Sequence, residues 1–309
     1  MQLEKCYIDK NYNVLSIDGG GIRGLIALNQ LVHLEKSLDK PLYEVFDLFA
    51  GTSTGSIIAV LLALGYNATE ILDFYLSHSN DIFKRKWYRL GIFRPRYCDK
   101  AFNKILKKYV KDLTLKDLKK DVIITSYNAT LGVKKIFKSR KAKVDNTYNY
   151  YLFDVVRASA SAQTFFKPHI IKDYYYIDGG MVINNPAMIS YTEVLNYEIN
   201  YKNINILSYS TGTVQSIINK KTLRGGKLRW AKPTVDILLK EQALITDYHM
   251  STIGLSNNNL NYIRLESYLN KSNGKIDDVT DDNIKNMIMD SNLSILKNQI
   301  LLKKFIQLL

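Results

Sequence analysis

Short apolar runs bounded by polar residues alternate along this chain with longer stretches in which apolar residues recur every three or four positions. That is the pattern of strands leading into helices. The first run spans residues 12–17, and Leu25, Leu28, Leu31, Val32 and Leu34 follow it at helical spacing. A second run at 48–50 leads into 56–64, which is apolar nearly all round, so a buried helix ending at Gly65 is predicted. The pattern then predicts helices near 69–78 and 99–111, strands over 121–127 and 133–138, an exposed loop over 140–150 and a small-residue helix over 152–162. Further on it predicts strands at 174–177, 204–209 and 262–265, a helix capped by Asn184-Asn185-Pro186, a long helix over 233–250 and a helical tail through Ile284, Ile295 and Phe305.

Three turns in this series carry chemistry. Asp18-Gly19-Gly20-Gly21-Ile22-Arg23-Gly24 joins the first strand to the first helix. It matches the spacing of a dinucleotide fingerprint at Gly19, Gly21 and Gly24, a reading that requires an acidic residue ending the next strand about 20 residues on. Asp39 and Glu44 lie near that distance, but Pro41 between them does not suit a buried parallel strand. The other use of successive glycines at a helix N-terminus is an oxyanion hole, where amides converge without Cβ crowding.

Gly51-Thr52-Ser53-Thr54-Gly55 is a glycine-flanked serine between an apolar run and a helical run, the pattern of a nucleophile elbow. Together the two turns propose acyl transfer. Asp178-Gly179-Gly180 follows a strand, where a sheet presents a base above its edge, although Asp-Gly is also a common plain turn.

Charge adds a possible partner. The 309 residues carry a formal net charge of +14, and residues 84–143 hold 20 Lys or Arg against 4 Asp or Glu. A solvated face, nucleic acid and an anionic lipid surface all fit such a segment. The interleaving of Trp87-Tyr88-Arg89-Leu90-Gly91-Ile92-Phe93 favours a folded part that meets an interface, and a phospholipid or membrane surface is the expected partner rather than nucleic acid. Residues 1–6 lack the apolar core of a signal peptide, and no run approaches a membrane span, so a cytoplasmic protein, or one peripheral at membranes, is expected. Cys6 and Cys98 match no metal spacing and fit a reduced setting, with a single disulfide left open.

With these three motifs in this order, the chain resembles the patatin-like phospholipase family. The likeness extends to Ala158-Ser159-Ala160, Asn184-Asn185-Pro186, Thr211-Gly212, Thr246-Asp247-Tyr248-His249 and Leu301-Leu302-Lys303-Lys304-Phe305. It therefore covers 1–309 as one domain. The resemblance implies a three-layer α/β/α fold with a central, mostly parallel sheet and a Ser-Asp dyad. It makes Ser53 the nucleophile within the elbow Gly51, Thr52, Thr54 and Gly55, Asp178 the base, and the amides of Gly19, Gly20, Gly21, Ile22, Arg23 and Gly24 the oxyanion hole. The implied activity is phospholipase A-type cleavage of fatty acyl esters through an acyl-serine, without metal or cofactor. A non-catalytic lipid- or nucleic-acid-binding protein on the same scaffold is the alternative. Of the four histidines, only His169 lies close enough in sequence to Asp178 to compete for the proton path.

Overall fold

A computed structural model of the chain describes residues 5–85, 94–213 and 218–309; residues 86–93, which hold most of the basic aromatic stretch, lie outside it. Its strands are β1 (Cys6–Ile8), β2 (Tyr12–Ile17), β3 (Leu48–Thr52), β4 (Asp121–Asn128), β5 (Val133–Lys138), β6 (His169–Ile171), β7 (Tyr174–Asp178), β8 (Ile199–Tyr201), β9 (Ile204–Tyr209) and β10 (Leu260–Leu265). Its α-helices are α1 (Gly24–Leu38), α2 (Leu42–Val45), α3 (Thr54–Leu64), α4 (Ala68–Ile82), α5 (Asp99–Val110), α6 (Ser139–Val144), α7 (Leu152–Ser159), α8 (Ala187–Leu195), α9 (Lys220–Leu223), α10 (Lys227–Ser256), α11 (Asp281–Lys297) and α12 (Gln299–Ile306).

Among the described residues the main sheet has eight strands in the order β10-β9-β2-β3-β4-β7-β6, with β5 on the other edge of β4. Strands β10, β9, β2, β3 and β4 are mutually parallel. Strands β3 and β9 are buried along their whole length, as strands covered on both faces must be. Leu15, Ile17, Phe49, Ile124 and Leu207 pack on one face into a core shared with α1, α3, α4, α5 and α7. Val14, Leu48, Ala50, Ile123 and Ile206 pack on the other against Ala187, Tyr191 and Val194 of α8 and Met250 of α10. The fold is thus a three-layer α/β/α sandwich around a mostly parallel sheet, as expected.

Helix α3 is buried from Thr54 to Ala63 and ends in a left-handed cap at Gly65, φ 100°. Elsewhere tertiary contacts overrule the local pattern. The expected exposed loop 140–150 begins as α6, because Ala142 is buried and the Ser139 hydroxyl accepts the Val122 amide at 2.8 Å. Helix α10 starts six residues before Pro233, not at it. The tail is two helices meeting at Asn298, whose side-chain amide donates to the Glu266 carbonyl at 3.1 Å. The small parallel pair β1–β8 has no sequence signal, since its paired residues, Cys6 with Ile199, lie more than half the chain apart. Cys6 and Cys98 are free thiols.

Candidate active site

Strand β4 brings the two candidate catalytic residues together. Its Thr125 pairs with Thr52, the last residue of β3, and its next residue, Ser126, pairs with Asp178, the last residue of β7. β3 is parallel to β4 and β7 antiparallel, so the C-terminal ends of β3 and β7 meet head to head along one edge of β4. Ser53 and Asp178 both line the cavity that opens there.

Ser53 adopts φ 54°, ψ −119°, a left-handed conformation that costs a non-glycine residue on the order of 1–3 kcal/mol. The turn is as tight as the motif requires: a Cβ on Gly51 would lie 2.1 Å from the Gly55 carbonyl oxygen, and one on Gly55 would lie 2.2 Å from the Ile17 oxygen. Polar side chains hold it in place. The Ser159 hydroxyl accepts the Ser53 amide at 2.9 Å, and the Ser56 hydroxyl donates to the Ser53 carbonyl at 2.6 Å. Thr52 Oγ1 donates to the Ile183 carbonyl at 2.7 Å and lies 2.6 Å from Thr125 Oγ1, while Thr54 Oγ1 bonds the buried Tyr75 hydroxyl.

Asp178 is buried, and its Oδ1 accepts the Gly180 amide at 2.7 Å. Burial pushes its carboxyl up to about 6, against the opposing pull of the Ser53 hydroxyl and then the Gly180 amide. Oδ2 completes no hydrogen bond among the described residues. Ser53 is therefore near enough to favour the carboxylate, yet the contact falls short of a formed bond.

The glycine turn faces the same space. Four of its six amides are occupied: Gly19 donates to Asn184 O at 3.2 Å, Ile22 to Ile276 O at 2.9 Å, Arg23 to Gly20 O at 3.2 Å, and Gly24 to the carbonyls of Gly21 and Ile22. Of the six amides expected to form the oxyanion hole, those of Gly20 and Gly21 stay free among the described residues. Both glycines are sterically required, since a Cβ would lie 2.1 Å from Thr211 Oγ1 at Gly20 and 2.2 Å from the Ile276 oxygen at Gly21, φ 60°. Thr211 Oγ1 also donates to the Gly19 carbonyl at 2.5 Å. The Ile276 loop is held in turn by the buried Asp290, which accepts the amides of Asn270, Lys271 and Ser272. Ser159, Thr211 and Asn184 belong to motifs visible in the sequence, but their contacts were not; Ile276 and Asp290 carry no sequence signal. Arg23 lines the cavity, with Nε 3.4 Å from Gly20 O; burial lowers its pKa, against the attraction of Asp236 and then Asp18.

The cavity encloses about 1450 Å³. Ile57, Phe74, Ile82, Phe102 and Phe166 give it apolar walls, α10 contributes Val235, Leu239 and Leu244, and Arg96, Asp236, Lys240 and Asp277 add charge. No histidine lines it among the described residues. His169 instead bonds Asp154, with Nε2 2.7 Å from Oδ1. No group of three or more His, Cys, Asp or Glu arranged to hold a metal occurs among the described residues. No described helix is long and apolar enough to cross a membrane.

Comparison with known proteins agrees with this geometry. The chain is 27% identical to patatin-like protein 2 of Oryza sativa subsp. indica, covering 92% of this chain and 85% of that one. It is 28% identical to the cGAMP-activated phospholipase of Escherichia coli (strain TW11681), covering 89% and 85%, and 26% identical to the probable inactive patatin-3-Kuras 1 of Solanum tuberosum, covering 89% and 83%. Among solved structures it is similar to VipD from Legionella pneumophila, with a TM-score of 0.44 and 13% identity, covering 96% of this chain and 67% of that one. The model of the patatin-like phospholipase family matches residues 15–191, more than half of the chain. The chain belongs to the patatin-like phospholipase family.

Proposed function

We propose that this protein is a phospholipase A-type lipid acyl hydrolase that works through a Ser53-Asp178 dyad. The observation that carries the reading is the strained Ser53 elbow beside a buried, partly unpaired Asp178 carboxyl, with two free glycine amides on the same apolar cavity. Asp178 Oδ2 takes the Ser53 proton as Ser53 Oγ forms a bond to the acyl carbonyl carbon. The carbonyl oxygen becomes an oxyanion facing the Gly20 and Gly21 amides. Collapse of that intermediate breaks the ester bond, and the leaving alkoxide takes the proton back from Asp178. Water then repeats the sequence on the acyl-serine, with Asp178 accepting its proton, and releases the fatty acid. Every proton moves between Asp178 and an oxygen, so no imidazole is required.

The wild type is expected to release fatty acid from phospholipid and to be labelled by a serine-directed fluorophosphonate, while Ser53→Ala and Asp178→Asn lose turnover. Full activity in both variants would overturn the dyad. One relative is described as probable inactive; lipid binding without labelling or fatty acid release would place this chain in that non-catalytic class.

A further inference from the structure

The sequence from Glu198 to Asp236 contains no acidic residue between those two, while its second half holds Lys220, Lys221, Arg224, Lys227, Arg229 and Lys232. Lys220, Lys221, Arg224, Lys227 and Arg229 are exposed, and none enters an ion pair among the described residues. Exposed apolar side chains sit between and just after them: Leu223 is 56% exposed, Leu228 96% and, beyond Lys232, Leu238 53%. On α10, Leu228, Ala231 and Val235 recur at i, i+3 and i+7, and so share one face. Ala231 and Val235 line the cavity, so its apolar wall continues outward one turn to Leu228. We propose that α9 and the first turns of α10 dock this protein on an anionic bilayer, with the cations at the phosphate level and Leu223, Leu228 and Leu238 dipping into the interface, so that lipid enters the cavity along the Leu228-Val235 face.

The basic segment 84–143 supplies this surface less fully, because several of its described cations have other partners. Lys143 pairs with Asp121 at 2.8 Å and Lys138 with Glu193. Arg140 lies 3.8 Å over the Tyr197 ring and Lys141 3.6 Å over Tyr148. Interleaved leucines also fit a bilayer better than a nucleic-acid backbone, which rewards charge but has no use for exposed aliphatic groups.

The proposal rests on the lipid hydrolase reading, and its test separates the two. The chain has two tryptophans, so full-length protein carrying Trp87→Phe and Ser53→Ala reports on Trp230 alone without consuming the lipid. With vesicles of equal parts phosphatidylcholine and phosphatidylglycerol, Trp230 emission shifts to shorter wavelength and is quenched by brominated lipid, and pure phosphatidylcholine gives at least about tenfold weaker binding. Lys220→Glu/Lys221→Glu/Arg224→Glu/Lys227→Glu weakens binding to the anionic vesicles at least about tenfold, while in the Ser53 protein it leaves hydrolysis of a soluble short-chain ester unchanged. The proposal is overturned by vesicle binding with unchanged Trp230 emission, by absence of vesicle binding, or by a DNA duplex producing the shift that vesicles do not. Because the emission readout uses the native surface, it decides the matter even where the charge-reversed chain misfolds. A Trp230 response without fatty acid release by wild type would sink the hydrolase reading alone; release with a silent Trp230 would sink the docking face alone.

Discussion

Arg264 reaches across β9 to hold Asp18 with both ends of its guanidinium: Nη2 lies 2.7 Å from Oδ2 and Nη1 3.2 Å from Oδ1. Both are almost fully buried, and Ser208 of the intervening strand accepts from Nη1 at 3.0 Å. Burial outweighs the attraction of Arg264 and pushes the Asp18 carboxyl up to about 6. Asp18 leads directly into the glycine turn, so this pair fixes where that turn leaves the sheet.

Breaking the pair from one side should therefore be costly. Arg264→Met leaves a buried carboxylate without its counter-charge, an expected loss of about 3–5 kcal/mol in chemical denaturation at neutral pH. Asp18, already raised above its unfolded value, rises further in the variant, so the deficit grows as pH rises above about 6, where folded wild-type Asp18 ionises and the variant's stays neutral. A double variant, Asp18→Leu with Arg264→Met, recovers much of the loss. A single variant as stable as wild type would show that the pair does not hold the turn.

Asp178→Asn separates function from stability. The Asp178 carboxyl is held at about 6, above the unfolded value of about 3.9. Folding thus disfavours its ionised form, and its contribution to stability, full below about pH 4, is lost as pH rises through about 6. The neutral amide removes that loss: at pH 7.5 the variant should gain on the order of 2 kcal/mol, shrinking toward zero at pH 4, while turnover falls by about 10²–10⁴. Denaturation curves at the two pH values, beside initial rates, check both halves.

On the proposed dyad mechanism, the same carboxyl should set the pH profile. Asp178 must be ionised to take the Ser53 proton, so kcat/KM for a soluble ester should fall tenfold per unit below about pH 6. His169→Gln should leave that midpoint in place, because His169 is engaged with Asp154 and lies outside the cavity lining. A midpoint that moves with His169 would return an imidazole to the proton path.

How far the sequence reveals such a site depends on what fixes each residue. Ser53 is legible because Gly51 and Gly55 each stand where a side chain would strike backbone, a local constraint that leaves a local signature. Asp178 is legible through its two glycines, one of which would place a Cβ 2.4 Å from Thr125 Oγ1. Their meeting along one edge of β4 is not, since it depends on an antiparallel strand entering where β3 stops, and on a register set by distant chain. The turn glycines look equivalent in sequence, and the distant Asn184 carbonyl at Gly19 and the local helical bonds at Gly24 decide which of their amides stay free. Helix α10 is legible from Pro233 onward because proline suits a first turn, and the same proline hides the six helical residues that precede it.

If the Gly20 and Gly21 amides form the proposed oxyanion hole, Thr211 is a positioning residue whose effect should appear in kcat. Its hydroxyl donates to the Gly19 carbonyl and fills the space beside Gly20, so it sets the direction of the free amides. Thr211→Val keeps the volume and removes the donor. The expected result is a kcat about 10–100-fold lower at unchanged KM, since the oxyanion forms only after substrate is bound. Thr211→Ser restores the donor and should recover most of the rate, which a purely packing role would not explain.

The elbow itself stores strain that substitution can release. Ser53 holds φ 54°, ψ −119°, where alanine is as uncomfortable as serine and glycine is not. Ser53→Gly and Ser53→Ala should both abolish turnover, but their stabilities should differ. Glycine relieves roughly 1–3 kcal/mol of backbone strain and gives back about 0.5–1 kcal/mol through its more flexible unfolded chain. Ser53→Gly is therefore expected to be about 1 kcal/mol more stable than Ser53→Ala in denaturant titration. Equal midpoints for the two variants would mean that the elbow relaxes without its serine, and that the surrounding bonds from Ser159 and Ser56, rather than the turn alone, hold the nucleophile in place.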